Sequence, residues 1–189
     1  MGGGCYIRPR FYNENVSANH LDVGVATGYY PAHCRFPATP VRLGLMDLNE
    51  HCLRHAAQRT ARYKPLILRR NVLEPISFDG SRFDSVALLY LLHCLPGAMK
   101  RKASIFDHLR PLMNDGAVLF GATIVQGSAP RNRAARRLMA LYNARGIFSN
   151  TEDTAEALEA SLAARFELWH VEVQGCVALF QAVSRTVCQ

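Results

Sequence analysis

The segment His20-Leu-Asp-Val-Gly-Val-Ala-Thr-Gly-Tyr29 narrows the fold more than any other part of the chain. A short apolar run ends in an acid, Asp22, and turns through Gly24, Ala26 and Gly28 into a segment that reads as a helix. Glycines in such a turn accept unusual backbone angles and let N–H groups come close to a ligand. The helix that follows would aim its positive end at the same space. A dinucleotide fingerprint, G-x-G-x-x-G, would place its third glycine at position 29, where the bulky Tyr29 stands. The spacing is G-x-A-x-G behind an acid, which argues against a nicotinamide-dependent oxidoreductase.

The rest of the chain alternates strand and helix signals. Strands are expected at His20 to Val23, Val41 to Met46, Leu66 to Arg69, Phe83 to Tyr90 and Ala117 to Val125. Between them, helices are expected at Thr27 to Arg35 (stopped by Phe36-Pro37), Asn49 to Tyr63 and Gly97 to Met113. Asn114-Asp-Gly116 reads as a turn. Two more helices follow, Arg131 to Asn143 and Thr151 to Arg165, the second with Thr151 as its N-cap. The β-rich runs Phe166 to Val173 and Val177 to Ala182 are joined by Gln174-Gly175, a connection short enough for an antiparallel hairpin. The earlier strands need helical crossovers and should be parallel. The expected architecture is a three-layer, Rossmann-like, doubly wound α/β domain over residues 19–189. Its seven-stranded sheet is mostly parallel and closes in an antiparallel hairpin. Residues 1–18 form a short N-terminal segment, and Met1 to Phe11 do not resemble a lid helix.

Composition excludes several classes. Hydrophobic residues make up 49% and charged residues 20% of 189, as in a globular protein with a substantial core. The longest apolar run, from Val86 through Leu92, is too short for a bilayer. No cleavable signal pattern opens the chain, and Tyr6 occupies the position where myristoylation wants Ser or Thr. A cytoplasmic protein is expected. Six cysteines and seven histidines are scattered without metal-ligand spacing, and His51 and His55, four apart, read as solvent-facing. The net charge of +7 gathers at Arg54-Arg59-Arg62-Lys64, Lys100-Arg101-Lys102 and Arg131-Arg133-Arg136-Arg137. Without interleaved aromatics these read as solvated helix faces, not as a nucleic-acid surface.

Ligands of doubly wound sheets sit beyond the carboxyl ends of the strands. Besides the Gly24–Gly28 loop, three strand ends carry suggestive groups. Asp47, with Leu48 beside it, can accept two hydrogen bonds from a ribose diol, or else cap the helix that follows. Asn71 can bond an adenine amine while Val72 and Leu73 pack on the ring. Leu89 and Tyr90 end the fourth strand, and His93 beyond them can take a proton or simply pack in the core.

In that order these groups resemble the class I S-adenosylmethionine (SAM) methyltransferases, from about residue 19 to the end. More narrowly, small microbial members are similar in Leu21-Asp-Val-Gly-Val-Ala-Thr-Gly-Tyr29, Leu45-Met-Asp-Leu-Asn49, Asn71-Val-Leu-Glu-Pro75, Phe83-Asp-Ser-Val86, Tyr90-Leu-Leu-His-Cys-Leu-Pro-Gly97, Phe120-Gly-Ala-Thr-Ile124 and Leu141 to Asn150. The resemblance implies that Asp22, Gly24, Ala26 and Gly28 hold the methionine part of SAM. It further implies that Asp47 and Leu48 meet the ribose, Asn71 and Val72 the adenine, and Leu89 the methionyl end. Ala26 stands where the family has glycine, and Asn71 where an acid is commoner. The implied reaction is in-line methyl transfer to a small-molecule acceptor, with His93 as base and Tyr90 orienting. A SAM-binding interaction protein of weak catalytic power is the alternative, since members usually carry a longer helical segment before the glycine loop.

Overall fold

The computed structural model describes residues 9–127 and 133–184. Helix α1 (Pro9–Asn15) leads into strand β1 (Asn19–Val23), helix α2 (Tyr29–His33) and strand β2 (Arg42–Asp47). Helix α3 (Glu50–Arg59) and strand β3 (Leu66–Arg69) come next, followed by strand β4 (Phe83–Leu89). Helices α4 (Met99–Lys102) and α5 (Ser104–Leu109) cross to strand β5 (Met113–Ile124). Helices α6 (Arg133–Ala144) and α7 (Ala155–Ala163) precede the hairpin of β6 (Leu168–Gln174) and β7 (Val177–Val183). One seven-stranded sheet runs β3-β2-β1-β4-β5-β7-β6. β1 to β5 pair in parallel, and β7 is antiparallel to both β5 and β6. The expected fold class is the one found.

Alternate residues of each strand face opposite layers. Leu21, Val23, Val86, Leu88 and Leu119 pack with Phe106 and Leu109 of α5 and Leu158 and Leu162 of α7. Across the sheet, Ala87, Leu89, Phe120 and Ala122 pack against Tyr12 of α1 and Val16. Leu43 and Leu45 meet Leu53 and Ala56 of α3. The order reverses between β1 and β4, so the crevice of this sheet opens beside the Gly24 loop.

Several boundaries differ from expectation, each for a local reason. The helix after the loop is only Tyr29–His33, because Gly28 enters it in the left-handed region at φ 67° and the chain turns extended at Cys34. The helix expected from Gly97 is interrupted at Ala103 and gives way at Pro111 to a tight 3₁₀ turn. Asn114-Asp-Gly116 is not a turn ahead of the fifth strand, which starts at Met113. The residues form a bulge inside β5, where the register jumps from Phe83↔Met113 to Ser85↔Val118. Gly116 (φ 75°) supplies the positive angle, and Ser184 Oγ donates to the Asn114 carbonyl at 2.6 Å. Thr154, not Thr151, caps α7 by accepting from Ala157 N–H. The first residues expected in α6, Arg131 and Asn132, lie outside the described residues, as do Cys5 and Cys188.

Candidate functional site

The carboxyl ends of β1, β2 and β3 open on a cavity of about 400 Å³. Val23 and Gly24 form its floor, Met46, Asp47 and Leu48 one wall, and Arg70, Asn71, Val72 and Leu73 another. Leu91, Cys94, Leu95 and Pro96, from the segment after β4, close it on the fourth side. Of the residues expected at a ligand site, this brings together Gly24, Asp47, Leu48, Asn71 and Val72. Asp22, Ala26, Gly28, Leu89, Tyr90 and His93 do not line it.

Each lining residue is held by its own turn. The Asp47 carboxylate accepts from Asn49 N–H at 2.8 Å, while Asn49 itself caps α3 by accepting from His51 N–H at 2.9 Å. The capping alternative for Asp47 therefore belongs to Asn49. Leu48 is 60% exposed at the rim, an apolar side chain held in water beside an acid. The Asn71 amide is used locally, donating to Glu74 at 2.8 Å and accepting from Leu73 N–H at 3.1 Å. Gly24 (φ 73°) is fixed by its neighbour, since a Cβ there would lie 2.8 Å from Leu91 Cδ1.

The other loop residues have different duties. Gly28 packs on α3, where a Cβ would fall 2.8 Å from Ala56 Cα. The loop's last glycine thus serves helix packing. Ala26 takes φ 44°, an angle suited to glycine, and is exposed.

Asp22, near the end of β1 just before the Gly24 loop, is buried in contact with Tyr12 of α1. Tyr12 donates to its Oδ2 at 3.0 Å and also pairs with His20 Nε2 at 2.8 Å. Burial pushes Asp22 up to about 7, against the downward pull of the Tyr12 hydrogen bond. Burial drives His20 the other way, down to about 3.

Tyr90 and His93, also expected at the site, lie beyond the carboxyl end of β4. Tyr90 takes φ 58° while its N–H donates to Ala122 O at 2.8 Å, so strand pairing holds it in a costly conformation. His93 is 3% exposed and edge-on to Tyr90 (5.9 Å) and Phe148 (4.7 Å). Its Nδ1 lies 3.4 Å from both Thr123 Oγ1 and Ile124 N. Burial, then the charge of Lys102, push it down to about 4, which leaves a neutral ring at pH 7. Lys102, expected on a solvated face, is fully buried. Its Nζ pairs with Asp153 Oδ2 at 2.5 Å and donates to Ser149 O. Arg101 and Arg136, from the same basic clusters, are exposed, and so are His51 and His55.

Residues 21–119 match a family model described as a methyltransferase domain. The demethylluteothin O-methyltransferase of Streptomyces thioluteus is 38% identical over 173 residues, covering 92% of this chain and 75% of its own. The chain belongs to the class I SAM-dependent methyltransferases. The putative uncharacterized protein YbcY of Escherichia coli K12 is 38% identical over 189 residues, 96% of this methyltransferase and 95% of that chain. Among solved structures, the N-methyltransferase NodS of Bradyrhizobium japonicum in complex with S-adenosylhomocysteine shares the fold. It aligns at a TM-score of 0.60 and 18% identity over 93% of this chain and 82% of its own.

The cofactor of this methyltransferase is SAM, and the cavity suits it. Its volume lies within the roughly 300–1,000 Å³ typical of small-ligand sites. Asp47 offers a carboxylate to a diol, and Leu48, Val72 and Leu73 offer apolar surface to a flat ring. Sequence reasoning missed the fourth wall, Leu91 to Pro96, and missed Tyr12. The signal for α1 was Pro9, since proline at the first helical position commonly opens a helix.

Proposed function

We propose that this methyltransferase transfers the methyl group of SAM to a small-molecule hydroxyl by in-line displacement. The observation that carries this reading is a cavity whose lining joins Gly24, Asp47, Leu48, Asn71 and Val72. The O-methyltransferase named in Streptomyces thioluteus supports an oxygen acceptor. When bound, SAM supplies a methyl carbon made electrophilic by its sulfonium. The chain's task is then to hold that carbon and the acceptor oxygen in line and close together, which is where most of the acceleration of such reactions arises. Gly24 and Asp22 take the methionyl end in this reading, Asp47 the ribose hydroxyls, and Asn71 with Val72 the adenine. Ala26 and Gly28 shape the loop, and Leu89 backs it.

Tyr90, His93, Phe148 and Tyr142 belong to the acceptor side, an aromatic cluster linked edge to edge. Residues 19–189 form the catalytic domain, with α1 of the N-terminal segment docked on it. A cytoplasmic setting goes with this reading, and no described helix is long and apolar enough to cross a membrane. His93 is the candidate base. Its position beside Tyr90 supports that role, whereas its burial and neutral ring oppose it.

Calorimetry with S-adenosylhomocysteine and with NADH tests the cavity. Binding of the first and not the second is expected, and the reverse would sink the reading. Methyl transfer from labelled SAM across a panel of phenols and hydroxylated polycyclic aromatics tests catalysis. Tight cofactor binding with no transfer to any of them would favour the SAM-binding interaction protein. His93→Ala separates the two roles of that residue. Turnover that falls while S-adenosylhomocysteine affinity holds supports the base, and unchanged turnover rejects it.

A further inference from the structure

Under the Gly24 loop runs a buried line of hydrogen bonds that no cofactor assignment above requires. Ser17 Oγ lies 2.9 Å from Ser85 Oγ, and Ser85 Oγ lies 2.7 Å from His20 Nδ1. His20 Nε2 then meets Tyr12 OH at 2.8 Å, and Tyr12 donates to Asp22 Oδ2 at 3.0 Å. Tyr12, His20, Ser85 and Asp22 are all buried.

The end of the line sets its direction. An ionised carboxylate can only accept, so Tyr12 must give its proton to Asp22. The Tyr12 oxygen then accepts from His20 Nε2–H, and a neutral His20 is left to accept from Ser85 at Nδ1. Protonating Asp22 removes the reason for that order, because the carboxyl becomes a donor and Tyr12 can turn toward His20. The groups that act on Asp22 or Tyr12 from neighbouring elements are His20 from β1, Tyr30 from α2, Cys34 just after α2, and Asp47 from β2. None of these is a cation at neutral pH, and Asp47 opposes the Asp22 charge. The Tyr12 hydroxyl is the contact that favours ionisation.

Resting on the assignment of Asp22 to the methionyl end, we propose that Tyr12 is a positioning residue for the cofactor. Its hydroxyl favours the ionised form of the Asp22 carboxylate and orients it for an ammonium group, and so ties cofactor affinity to the docking of α1. The ring of Tyr12 is placed independently of its hydroxyl, stacked on Tyr30 at 5.4 Å and edge-on to Phe120 at 5.4 Å. Tyr12→Phe therefore removes the hydrogen bonds and keeps the packing.

The test titrates the full chain and the Tyr12→Phe variant with two ligands from about pH 5.5 to about 8.5, a range that brackets the ionisation of Asp22. S-adenosylhomocysteine carries the ammonium group, and 5′-methylthioadenosine lacks the amino-acid end. The wild-type protein should lose S-adenosylhomocysteine affinity as pH falls through about 7. In Tyr12→Phe that affinity should drop about tenfold at pH 7, and the acid limb should move to higher pH, since a favourable contact to the charged form is gone. Methylthioadenosine should bind both proteins alike at every pH. Equal weakening of both ligands would make Tyr12 merely structural and overturn the proposal, as would an unmoved acid limb. Wild-type protein that binds neither ligand would instead overturn the cofactor site itself. A second readout needs no variant. Near pH 7, calorimetry in phosphate and in Tris should show a fraction of a proton released on binding S-adenosylhomocysteine and none on binding methylthioadenosine. Equal values for the two ligands would also overturn it.

Discussion

Two buried polar clusters, one beneath the Gly24 loop and one beneath the proposed acceptor side, are built on opposite principles. Beneath the cofactor loop, Tyr12, His20, Ser85 and Asp22 share hydrogen bonds among groups that burial drives toward neutrality. Beneath the acceptor side, Lys102 and Asp153 form an ion pair at 2.5 Å with both side chains out of water. Among the described residues, Asp153 Oδ1 has no hydrogen-bond partner, so the second cluster carries an unmet desolvation cost that the first avoids. Its return is positional. Lys102 also holds the Ser149 carbonyl, Ser149 N–H donates to His93 O, and Asn150 joins Asn143 of α6 to Ile124 O of β5. A hydrogen-bonded network without an ion pair can rest on β1, β4 and α1, whereas the loop after α6 is pinned here by a charge pair.

The largest expected effect breaks the charged cluster. Lys102→Met should cost about 3–5 kcal/mol in urea unfolding, because it strands a buried carboxylate, and Lys102→Met with Asp153→Leu should recover much of it. An exposed, weakly contributing pair would lose less than about 1 kcal/mol. Next, Asp47→Ala should weaken S-adenosylhomocysteine by about 1–3 kcal/mol in calorimetry and leave the unfolding midpoint nearly unchanged. Loss of stability on the same scale would move Asp47 from ligand binding to the turn that precedes α3.

The neutral cluster predicts a pH signature. Asp22 sits at about 7 in the fold, well above the 3.8 ordinary for an aspartate in water. The native state therefore keeps that proton across the interval where the unfolded chain has released it. Its contribution to stability is fullest below about pH 4 and is lost as pH rises through about 7. Asp22→Asn should remove that fall, steepening any gain of stability with pH by up to one proton, about 1.4 kcal/mol per pH unit. Thermal melts from about pH 4 to 7 read it directly, and parallel curves for the two proteins would show that burial does not hold the proton. The smallest effect concerns the start of α7. Thr154→Ala should cost about 1 kcal/mol by loss of the cap to Ala157 N–H, while Thr151→Ala should cost little.

The comparison also marks what could be read from residues alone. The cofactor side rests on short-range chemistry: a glycine turn after β1, an acid ending β2, an Asx-type turn at Asn71. Each is dictated within a few residues, so Gly24, Asp47, Leu48, Asn71 and Val72 could be gathered before any fold was seen. Gly28 could be recognised but its packing on Ala56 of α3 could not be, because that neighbour lies on a different element. Lys102 was misread for the opposite reason. Its partner lies 51 residues away, and a run of three basic residues on a short helix looks solvated until Asp153 is folded over it.

By itself the sequence determined the alternation of strands and helices, the antiparallel end of the sheet and the cavity-facing residues after β1, β2 and β3. These follow from hydrophobic period and turn chemistry, which act locally. Only the tertiary structure decided that α1 returns over Asp22, that His93 is walled in by Phe148 and Thr123, and that Lys102 leaves the surface. Those outcomes depend on which distant groups share a desolvated space. There, the balance between the cost of burying a charge and the gain of a partner is struck by contacts that no local pattern records.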